Sequence, residues 1–383
     1  MLTAEGCRAR RKRLWESLPT PCDALVVADP QHLVYFANFF VTPFTFRAAE
    51  AGAILILEPD RATLVADNLL EPAWAAAHVD EVVAPAWYEG KSSAGNRRVH
   101  LANAAGEVLS RLHPARVGVE LASVPASLLR GRPESAVVDL DPIIRPMRRS
   151  KDADELVVLG RSMRAGDAAL AAVLANLQPG MTELDAYLIA QRAAIESAGH
   201  PVVVYGDFVS GSRTGEIGGP PTDRVIKSGD LFLVDLSVIV HGYRGDFANT
   251  FVVGAGPTQK QRDDLAHCLA AIEVGEGLLM PGAECREIDL AVRQAIPVSP
   301  GRLVCPGHTG HGLGLGHPEP PYLVPLSMES LVLGDVVTLE PGVYVPGESG
   351  MRFERNYLIT SSGFEVLTHH RLTLDQGESG VSS

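Results

Sequence analysis

The chain has 383 residues, of which 46% are hydrophobic and 21% are charged, a composition typical of globular proteins and not of disordered or collagen-like chains. Its formal net charge of -13 argues against nucleic acid or an anionic membrane surface as a partner. No apolar run approaches the roughly 20 residues that span a bilayer. The 5 cysteines include no C-x-x-C pair, which favours a reducing compartment. Polar residues follow the N-terminal basic cluster, so no signal peptide is expected and we predict a cytoplasmic protein.

The N-terminal part of the chain, residues 1–142, has the pattern of an α/β domain. Short apolar runs predict buried strands at 24–28, 53–57 and 63–66. A helix is expected over 101–112, and neither a dinucleotide fingerprint nor a nucleophile elbow is present. The segment 141–152 carries prolines and a charge cluster, so we predict that it links this domain to the next.

Residues 143–375 begin with two predicted helices and then become rich in strands. The helices are expected over 153–177 and 182–199, and Thr182 followed by Asp185 predicts an N-terminal cap on the second. Further strands are expected at 231–239, 246–253, 336–345 and 351–360, with helices at 258–279 and 284–296. This order predicts an α+β domain whose helices cover one face of an antiparallel sheet. The small, polar residues 376–383 predict a loose tail.

Two acidic residues in neighbouring predicted strands form a first pair. Asp235 lies in an apolar strand, where an ionised carboxylate is costly unless something compensates its charge. If the strands pair about a midpoint at Val240–His241, Asp246 lies opposite Asp235 on the same face. Two ionised carboxylates would repel each other there, so the pair requires a cation or a shared proton.

The same arrangement recurs nearer the C-terminus, where Glu340 and Glu354 lie on either side of a midpoint at Gly347. Between the two predicted hairpins, His311 stands among alternating glycines, which allow the backbone to come close to a ligand. Four carboxylates and one imidazole suit two divalent ions, with manganese, cobalt, zinc or iron(II) as candidates. Two metals about 3.5–4 Å apart can hold a bridging water and polarise a carbonyl, so these residues predict an amide hydrolase.

In their order and local context, these five residues resemble the metal ligands of the pita-bread-fold metallohydrolases, which include prolidase, aminopeptidase P, methionine aminopeptidase and creatinase. Pro179–Thr182 and Pro221–Arg224 are supporting matches. The resemblance implies an α+β fold with a C-terminal pita-bread domain over 143–375. It also implies a smaller N-terminal creatinase/prolidase-like domain over 1–142, a homodimer, and manganese as the favoured metal.

The resemblance also implies individual roles. The metal ligands would be Asp235, Asp246, His311, Glu340 and Glu354. Among them, Asp246 and Glu354 would bridge the two metals, and Glu340 would share a proton with the metal-bound water. Tyr243 and Arg352 would orient carboxylates or contact the substrate.

Two positions depart from the family pattern, and both are usual places for a substrate-facing histidine. Pro318 stands at one of them, and His317, one residue earlier, is our candidate for the displaced catalytic histidine. Gly218 stands at the other. The spacing of His308 also lies outside the usual register and favours a structural role.

The leading interpretation is a dinuclear metal-dependent peptidase for short peptides, with Xaa-Pro dipeptidase or aminopeptidase P-like activity through a metal-bridging water. The altered histidine positions favour an alternative, a hydrolase or lyase for a small non-peptide molecule. A non-catalytic binding protein is a third possibility. The complete ligand set argues against it, because a binding protein has no physical need for four facing carboxylates.

Overall fold

The computed structural model describes residues 1–376 and divides into two compact units, of which the first comprises residues 1–148. The helices of the first unit are α1 (Ala4–Glu16), α2 (Pro30–Ala37), α3 (Glu71–Trp74), α4 (Arg97–Leu112) and α5 (Asp141–Met147). Its strands are β1 (Ala24–Val27), β2 (Ala53–Glu58), β3 (Arg61–Ala66), β4 (Glu81–Val83), β5 (Val117–Val119) and β6 (Val137–Asp139). They form one mixed sheet in the order β4-β3-β2-β1-β5-β6, which confirms the predicted α/β pattern.

The predicted linker at 141–152 is wrong for most of its length, because Asp141–Met147 forms α5 within the first unit. Pro142 stands in the first turn of this helix, where its missing N–H removes no helical hydrogen bond. The division between the units therefore falls later than the predicted boundary, between Arg148 and Arg149.

In the predicted tail at 376–383, Gln376 donates a hydrogen bond from Nε2 to the Leu177 carbonyl at 2.7 Å. The rest of that tail lies outside the described residues.

The second unit combines helices with antiparallel sheets, as the sequence predicted. Its helices are α6 (Ala153–Asn176), α7 (Glu183–Ala198), α8 (Gln259–Glu276) and α9 (Cys285–Gln294). Its strands are β7 (Val203–Ser210), β8 (Leu231–Val240), β9 (Tyr243–Val252), β10 (Leu303–Val304), β11 (Gly310–Gly312), β12 (Glu319–Leu323), β13 (Val336–Leu339), β14 (Gly342–Val345), β15 (Ser349–Arg352), β16 (Arg355–Thr360) and β17 (Gly363–Val366). The sheet orders are β7-β8-β9, β10-β14-β15 and β12-β11-β13-β16-β17. The predicted cap of α7 is confirmed, since Thr182 Oγ1 accepts from the Asp185 N–H at 3.1 Å.

The hairpin of β8 and β9 turns one residue later than the predicted midpoint at Val240–His241. Val240 pairs with Tyr243, so the turn consists of His241 and Gly242. Both residues have positive φ, 49° and 87°, as a two-residue type I′ hairpin turn requires. This tight turn sets the register of the whole hairpin.

In that register, Asp246 pairs with Ser237, and Asp235 pairs with Ala248. The predicted direct pairing of Asp235 with Asp246 is therefore wrong by two residues. Because side chains alternate between faces with a period of two, the two carboxylates still lie on the same face, as diagonal neighbours.

The second predicted hairpin has its expected centre. β13 pairs with β16, and β14 pairs with β15, in one continuous register about Gly347. The outer part of this hairpin belongs to the five-stranded sheet and the inner part to a three-stranded sheet. Glu340 and Glu354 lie at the point where the two chain segments pass from one sheet to the other, which interrupts the regular ladder at both residues.

Helix α6 packs behind β9, on the face opposite to Asp246. A Cβ atom on Gly166 of this helix would lie 2.0 Å from Cε2 of Phe247, so the aromatic ring packs directly on the helix backbone. Phe247 follows Asp246 along the strand, and this contact therefore supports the strand behind the carboxylate. Within residues 1–376, no helix, α6 included, is both long and apolar enough to cross a membrane.

Gly166→Ala should lower the free energy of unfolding, because the added methyl group must displace Phe247. Such overpacking costs roughly 1–3 kcal/mol, against a gain of about 1 kcal/mol in helix propensity. The matched control is Gly160→Ala in the same helix, where the nearest atom to the new Cβ is Arg164 Nη1 at 3.5 Å. This control should be neutral or stabilising in urea unfolding followed by circular dichroism. Equal midpoints for the two variants would contradict the packing argument.

Candidate metal centre

Two contacts between sheets bring the acidic residues of both hairpins together. The Glu354 N–H donates to the Ala248 carbonyl at 3.1 Å, and the Asn356 side-chain amide donates to the Asp246 carbonyl. These hydrogen bonds join the end of the second hairpin to the edge strand β9. As a result, the carboxylates of Asp235, Asp246 and Glu354 converge, and each offers an oxygen within 4.8 Å of the others.

His311 approaches the same carboxylates from strand β11. Its Nδ1 donates to the Gly312 carbonyl at 2.9 Å, so in the neutral imidazole Nε2 carries the free lone pair. This Nε2 lies 3.3 Å from Oδ2 of Asp246 and 3.4 Å from Oε1 of Glu340. The Glu340 N–H in turn donates to the Thr309 carbonyl at 2.9 Å, which holds the glutamate beside the histidine strand.

The glycines on either side of His311 are required by the close packing of β11. A Cβ on Gly310 would lie 2.0 Å from the Thr338 carbonyl oxygen, and a Cβ on Gly312 would lie 2.2 Å from that of Pro320. No side chain fits at either position without a shift of backbone. The glycine spacing recognised in the sequence therefore lets this strand lie against both of its neighbours.

Burial and mutual repulsion act on the acidic residues when no cation compensates them. Burial raises the pKa of Asp235 to about 7, although the Arg352 guanidinium acts in the opposite direction. Burial, with the charges of Asp246, Glu340 and Asp235, raises the pKa of Glu354 well above its usual range. The cluster cannot hold all of its negative charge alone, as expected of carboxylates that share one site.

The histidines partly compensate this charge. Burial opposes the ionisation of Asp246, but His317 and His311 outweigh it and hold the pKa of Asp246 below its usual range. Burial likewise opposes the protonation of His311, but the hydrogen bond with Asp246 and the charge of Glu340 raise its pKa to about 9. Burial also disfavours the ionised form of Glu340, yet His308 and His311 lower the pKa of that carboxyl. Protons thus provide some of the positive charge that a metal would supply.

Glu354 provides a direct test of whether the residues fit a metal. Its Oε1 accepts from Thr338 Oγ1 at 2.5 Å, whereas no group among residues 1–376 donates a hydrogen bond to its Oε2. The residue is only 1% exposed, and a buried carboxylate oxygen without a partner is costly. A ligand set of several carboxylates and an imidazole fits first-row divalent metals, so the site suits such ions.

Arg352 and Tyr243, the two predicted supporting residues, lie in different surroundings. The Arg352 guanidinium pairs with Asp235 through Nη1 and donates from Nε to the Tyr344 hydroxyl at 2.8 Å. The Tyr243 hydroxyl donates to Glu155 of α6 at 2.9 Å. Tyr243 and Asp246 are three residues apart on β9, so their side chains point to opposite faces of the sheet. Its predicted role is corrected accordingly, since its hydroxyl orients Glu155 and not a carboxylate of the cluster.

Two further histidines lie at the cluster. Nε2 of His317 is 2.6 Å from Oδ2 of Asp246, and its ring centroid is 5.0 Å from that of His311. Nε2 of His308 is 3.1 Å from Oε1 of Glu340. His308, for which the spacing favoured a structural role, therefore lies next to a predicted metal ligand. The repeated histidines around the glycine run were the available signal, but their spacing alone did not show that the loop before β11 folds back towards Glu340.

A cavity of about 260 Å³ opens beside Glu340. Its lining includes Ile217, Cys305, His308, Glu340, Tyr344 and Arg352. The cavity combines apolar surface with a few polar groups next to the cluster, as small-molecule sites do. Its size suits a small ligand.

Comparison with known proteins agrees with this geometry. Residues 11–150 match the creatinase/prolidase N-terminal domain, and residues 158–361 match metallopeptidase family M24. A protein of Staphylococcus aureus (strain USA300), described as an uncharacterized peptidase, is 30% identical over 248 residues, which are 63% of this chain and 69% of that protein.

Two solved structures share the fold along almost the whole chain. The Xaa-Pro dipeptidase from Bacillus anthracis has a TM-score of 0.80 and 24% identity, over 97% of this chain and 99% of that chain. The X-Pro aminopeptidase from Thermotoga maritima MSB8 has a TM-score of 0.80 and 20% identity, over 98% and 99%. The predicted pita-bread fold and creatinase-like N-terminal domain are thereby confirmed. Since the family match extends over more than half of the sequence, the chain belongs to metallopeptidase family M24.

Proposed function

We propose that the protein is a dinuclear metal-dependent peptidase that hydrolyses short peptides of the Xaa-Pro type. The observation that carries the proposal is the buried carboxylate cluster, in which Glu354 keeps an oxygen without a hydrogen-bond partner among residues 1–376. The names of the structural neighbours, Xaa-Pro dipeptidase and X-Pro aminopeptidase, support the substrate class. The small cavity beside Glu340 is consistent with a short peptide.

The proposed cofactor is a pair of divalent ions, with manganese favoured and cobalt, zinc or iron(II) as alternatives. Asp246 contributes to the group with Asp235 and Glu354 and also lies beside His311, so it is the residue best situated to bridge. When bound, the metals would activate a water molecule and polarise the scissile carbonyl. Two divalent ions would also neutralise the four carboxylates, which removes the repulsion described above.

The chain's own groups would then handle protons and orientation. Glu340 is the proposed base for the attacking water, and His308, 3.1 Å from its Oε1, would hold that carboxylate in position. His317 is the proposed hydrogen-bond donor to the oxygen of the substrate carbonyl, because it lies beside Asp246 at the partly exposed rim of the cluster. Arg352 would keep Asp235 oriented through their ion pair.

The protein's surroundings and partners are part of the same proposal. Its cysteines are free thiols, and Cys7, Cys268, Cys285 and Cys305 are buried, which suits a reducing, cytoplasmic compartment. The net charge of -13 favours neither nucleic acid nor an anionic membrane as a partner. A homodimer is proposed from the family resemblance, and the substrate is a short peptide or other small molecule.

One observation favours the alternative, a hydrolase or lyase for a small non-peptide molecule. At Gly218, where the family resemblance predicts a substrate-facing histidine, the nearest side chain is the carboxylate of Asp207. A carboxylate in place of the histidine, next to a complete set of predicted metal ligands, permits a substrate other than a peptide. A panel that combines Xaa-Pro dipeptides with creatine-like and sulfonium compounds separates the two functions.

The metal content tests the dinuclear centre. Protein loaded with manganese or cobalt and then desalted should retain two ions per chain in elemental analysis. Asp246→Asn should lose one or both ions, because it removes a charge that two ligand groups share. Asp263→Asn, at an exposed position on α8, is the control and should retain both. Absence of bound metal from the loaded wild-type protein would refute the centre.

The pH dependence of metal binding tests the role of His311. Its pKa of about 9 without metal means that a proton must leave before Nε2 can bind, so manganese affinity should rise by at least tenfold per pH unit up to about pH 9. The rise should be steeper below about pH 7, where Asp235 must also lose a proton. In the unfolded chain the pKa of His311 is about 6.5, lower than in the folded, metal-free protein. Protonated His311 should therefore stabilise the metal-free protein fully below about pH 6.5, and this stabilisation should be lost as the pH rises towards 9. Activity should fall in acid.

Calorimetry of manganese binding in buffers of different ionisation enthalpy checks this release of protons. His311→Gln should reduce the number of protons released, whereas the control His241→Asn, at the turn of β8 and β9, should leave it unchanged. A release that is identical in all three proteins would contradict a His311-bound metal.

His317 can be tested by kinetics on Ala-Pro with the manganese-loaded protein. His317→Ala should lower kcat by about 10²–10³, the usual cost of losing one oxyanion donor, with a smaller change in KM. His369→Ala, at an exposed position, is the control and should keep wild-type rates. Cleavage at the wild-type rate by His317→Ala would show that another group stabilises the oxyanion.

A further inference from the structure

Strand β7 carries an acidic residue that faces the metal cluster and that the proposed mechanism does not use. Asp207 pairs directly with Asp235 across β7 and β8, so the two side chains lie on the same face of the sheet. The charge of Asp207 adds to burial and to the charge of Asp246 in raising the pKa of Asp235. Asp207 therefore lies close enough to act on the site electrostatically.

The Asp207 carboxylate fills the space beside Gly218. A Cβ on Gly218 would lie 1.9 Å from Oδ2 of Asp207 and 2.4 Å from its Cγ. Oδ1 of Asp207 accepts from the Gly219 N–H at 2.9 Å, which directs the carboxylate towards this loop. The acidic group thus stands where a side chain at position 218 would otherwise stand.

The loop that carries Gly218 is held at both ends by one buried glutamate. Glu183 of α7 is fully buried and accepts from the Ser210 N–H at 2.8 Å and from Thr222 Oγ1 at 2.6 Å. It also pairs with Arg213. The contact between Asp207 and the Gly218 backbone is therefore built into the anchored loop.

Asp207 has capacity for a ligand. The Gly219 N–H donates to Oδ1, and no Lys, Arg or His of residues 1–376 forms an ion pair with this carboxylate. Asp207 is also outside the metal-ligand groups found among those residues. Its Oδ2 is therefore left for a donor from the substrate, and a charged acceptor binds cationic donors most strongly.

We propose that Asp207 determines specificity by binding the ammonium or guanidinium group of a basic side chain on the Xaa residue of the substrate. The inference rests on the proposed peptidase function and adds the substrate class. Position 218, where the family resemblance predicts a histidine, is a glycine, and the Asp207 carboxylate occupies the space beside it. This part of the site therefore offers a hydrogen-bond acceptor, and a basic substrate side chain supplies the matching donor. Neutral isosteres leave Asp207 without a cationic partner.

Arginyl-proline and citrullinyl-proline test the proposal, because they have nearly the same shape and differ in charge. The manganese-loaded wild-type protein should favour Arg-Pro by about tenfold in kcat/KM, mainly through KM, as expected for a hydrogen bond to a charged group. Asp207→Asn retains the acceptor for Gly219 and should remove the preference by slowing Arg-Pro only. The control Glu216→Gln removes an exposed carboxylate from the same loop and should retain the preference.

Binding of free arginine and citrulline to the manganese-loaded protein, measured by calorimetry, separates this inference from the proposed function. If neither dipeptide is cleaved, yet arginine binds about tenfold more tightly and Asp207→Asn abolishes the difference, the peptidase proposal fails and the assignment of Asp207 stands. If both dipeptides are cleaved at equal rates by wild type and Asp207→Asn, the assignment is overturned and the peptidase proposal stands. Equal binding of arginine and citrulline to the wild type also overturns the assignment.

Discussion

The mutual repulsion of buried carboxylates is the constraint on which the second unit depends. Asp235, Asp246, Glu340 and Glu354 converge from two hairpins, and burial in a sheet interior penalises each ionised group. Protonated histidines and Arg352 offset only part of this charge. The remainder must be compensated by a cation or by protons that the carboxylates share.

The scaffold meets this constraint with backbone contacts. The hairpin of β13–β16 changes sheets at the two glutamates, and hydrogen bonds from Glu354 and Asn356 attach it to β9. Glycines on β11 allow His311 to approach from a third direction. Behind the cluster, the ring of Phe247 packs on the backbone of α6. The ligand atoms are therefore positioned by sheet registers and close packing, which tolerate little displacement.

In the proposed function, the residues that would hold metal and the residues that would contact substrate meet different requirements. Metal ligands need fixed donor types and distances, whereas the wall beside Gly218 needs only to complement a substrate. Asp207 changes the charge of that wall without entering the ligand groups of the described residues. A shared scaffold can thus keep the metal chemistry and vary the molecule on which it acts.

The sequence by itself determined the fold class and the ligand candidates, because hydrophobic periodicity and the acidic residues within apolar strands are local properties. The family followed from a resemblance, carried by the order and local context of the five predicted metal ligands. Long-range geometry decided the rest. The turn at His241 and Gly242, both with positive φ, gives the first hairpin a register two residues away from the predicted one. The loop before β11 places His308 beside Glu340. The contact between Asp207 and the Gly218 backbone was equally invisible in the sequence, since it depends on the pairing of β7 with β8 and on a loop anchored elsewhere. Spacing along the chain specifies which face a side chain takes within one strand, but only tertiary packing decides which faces meet.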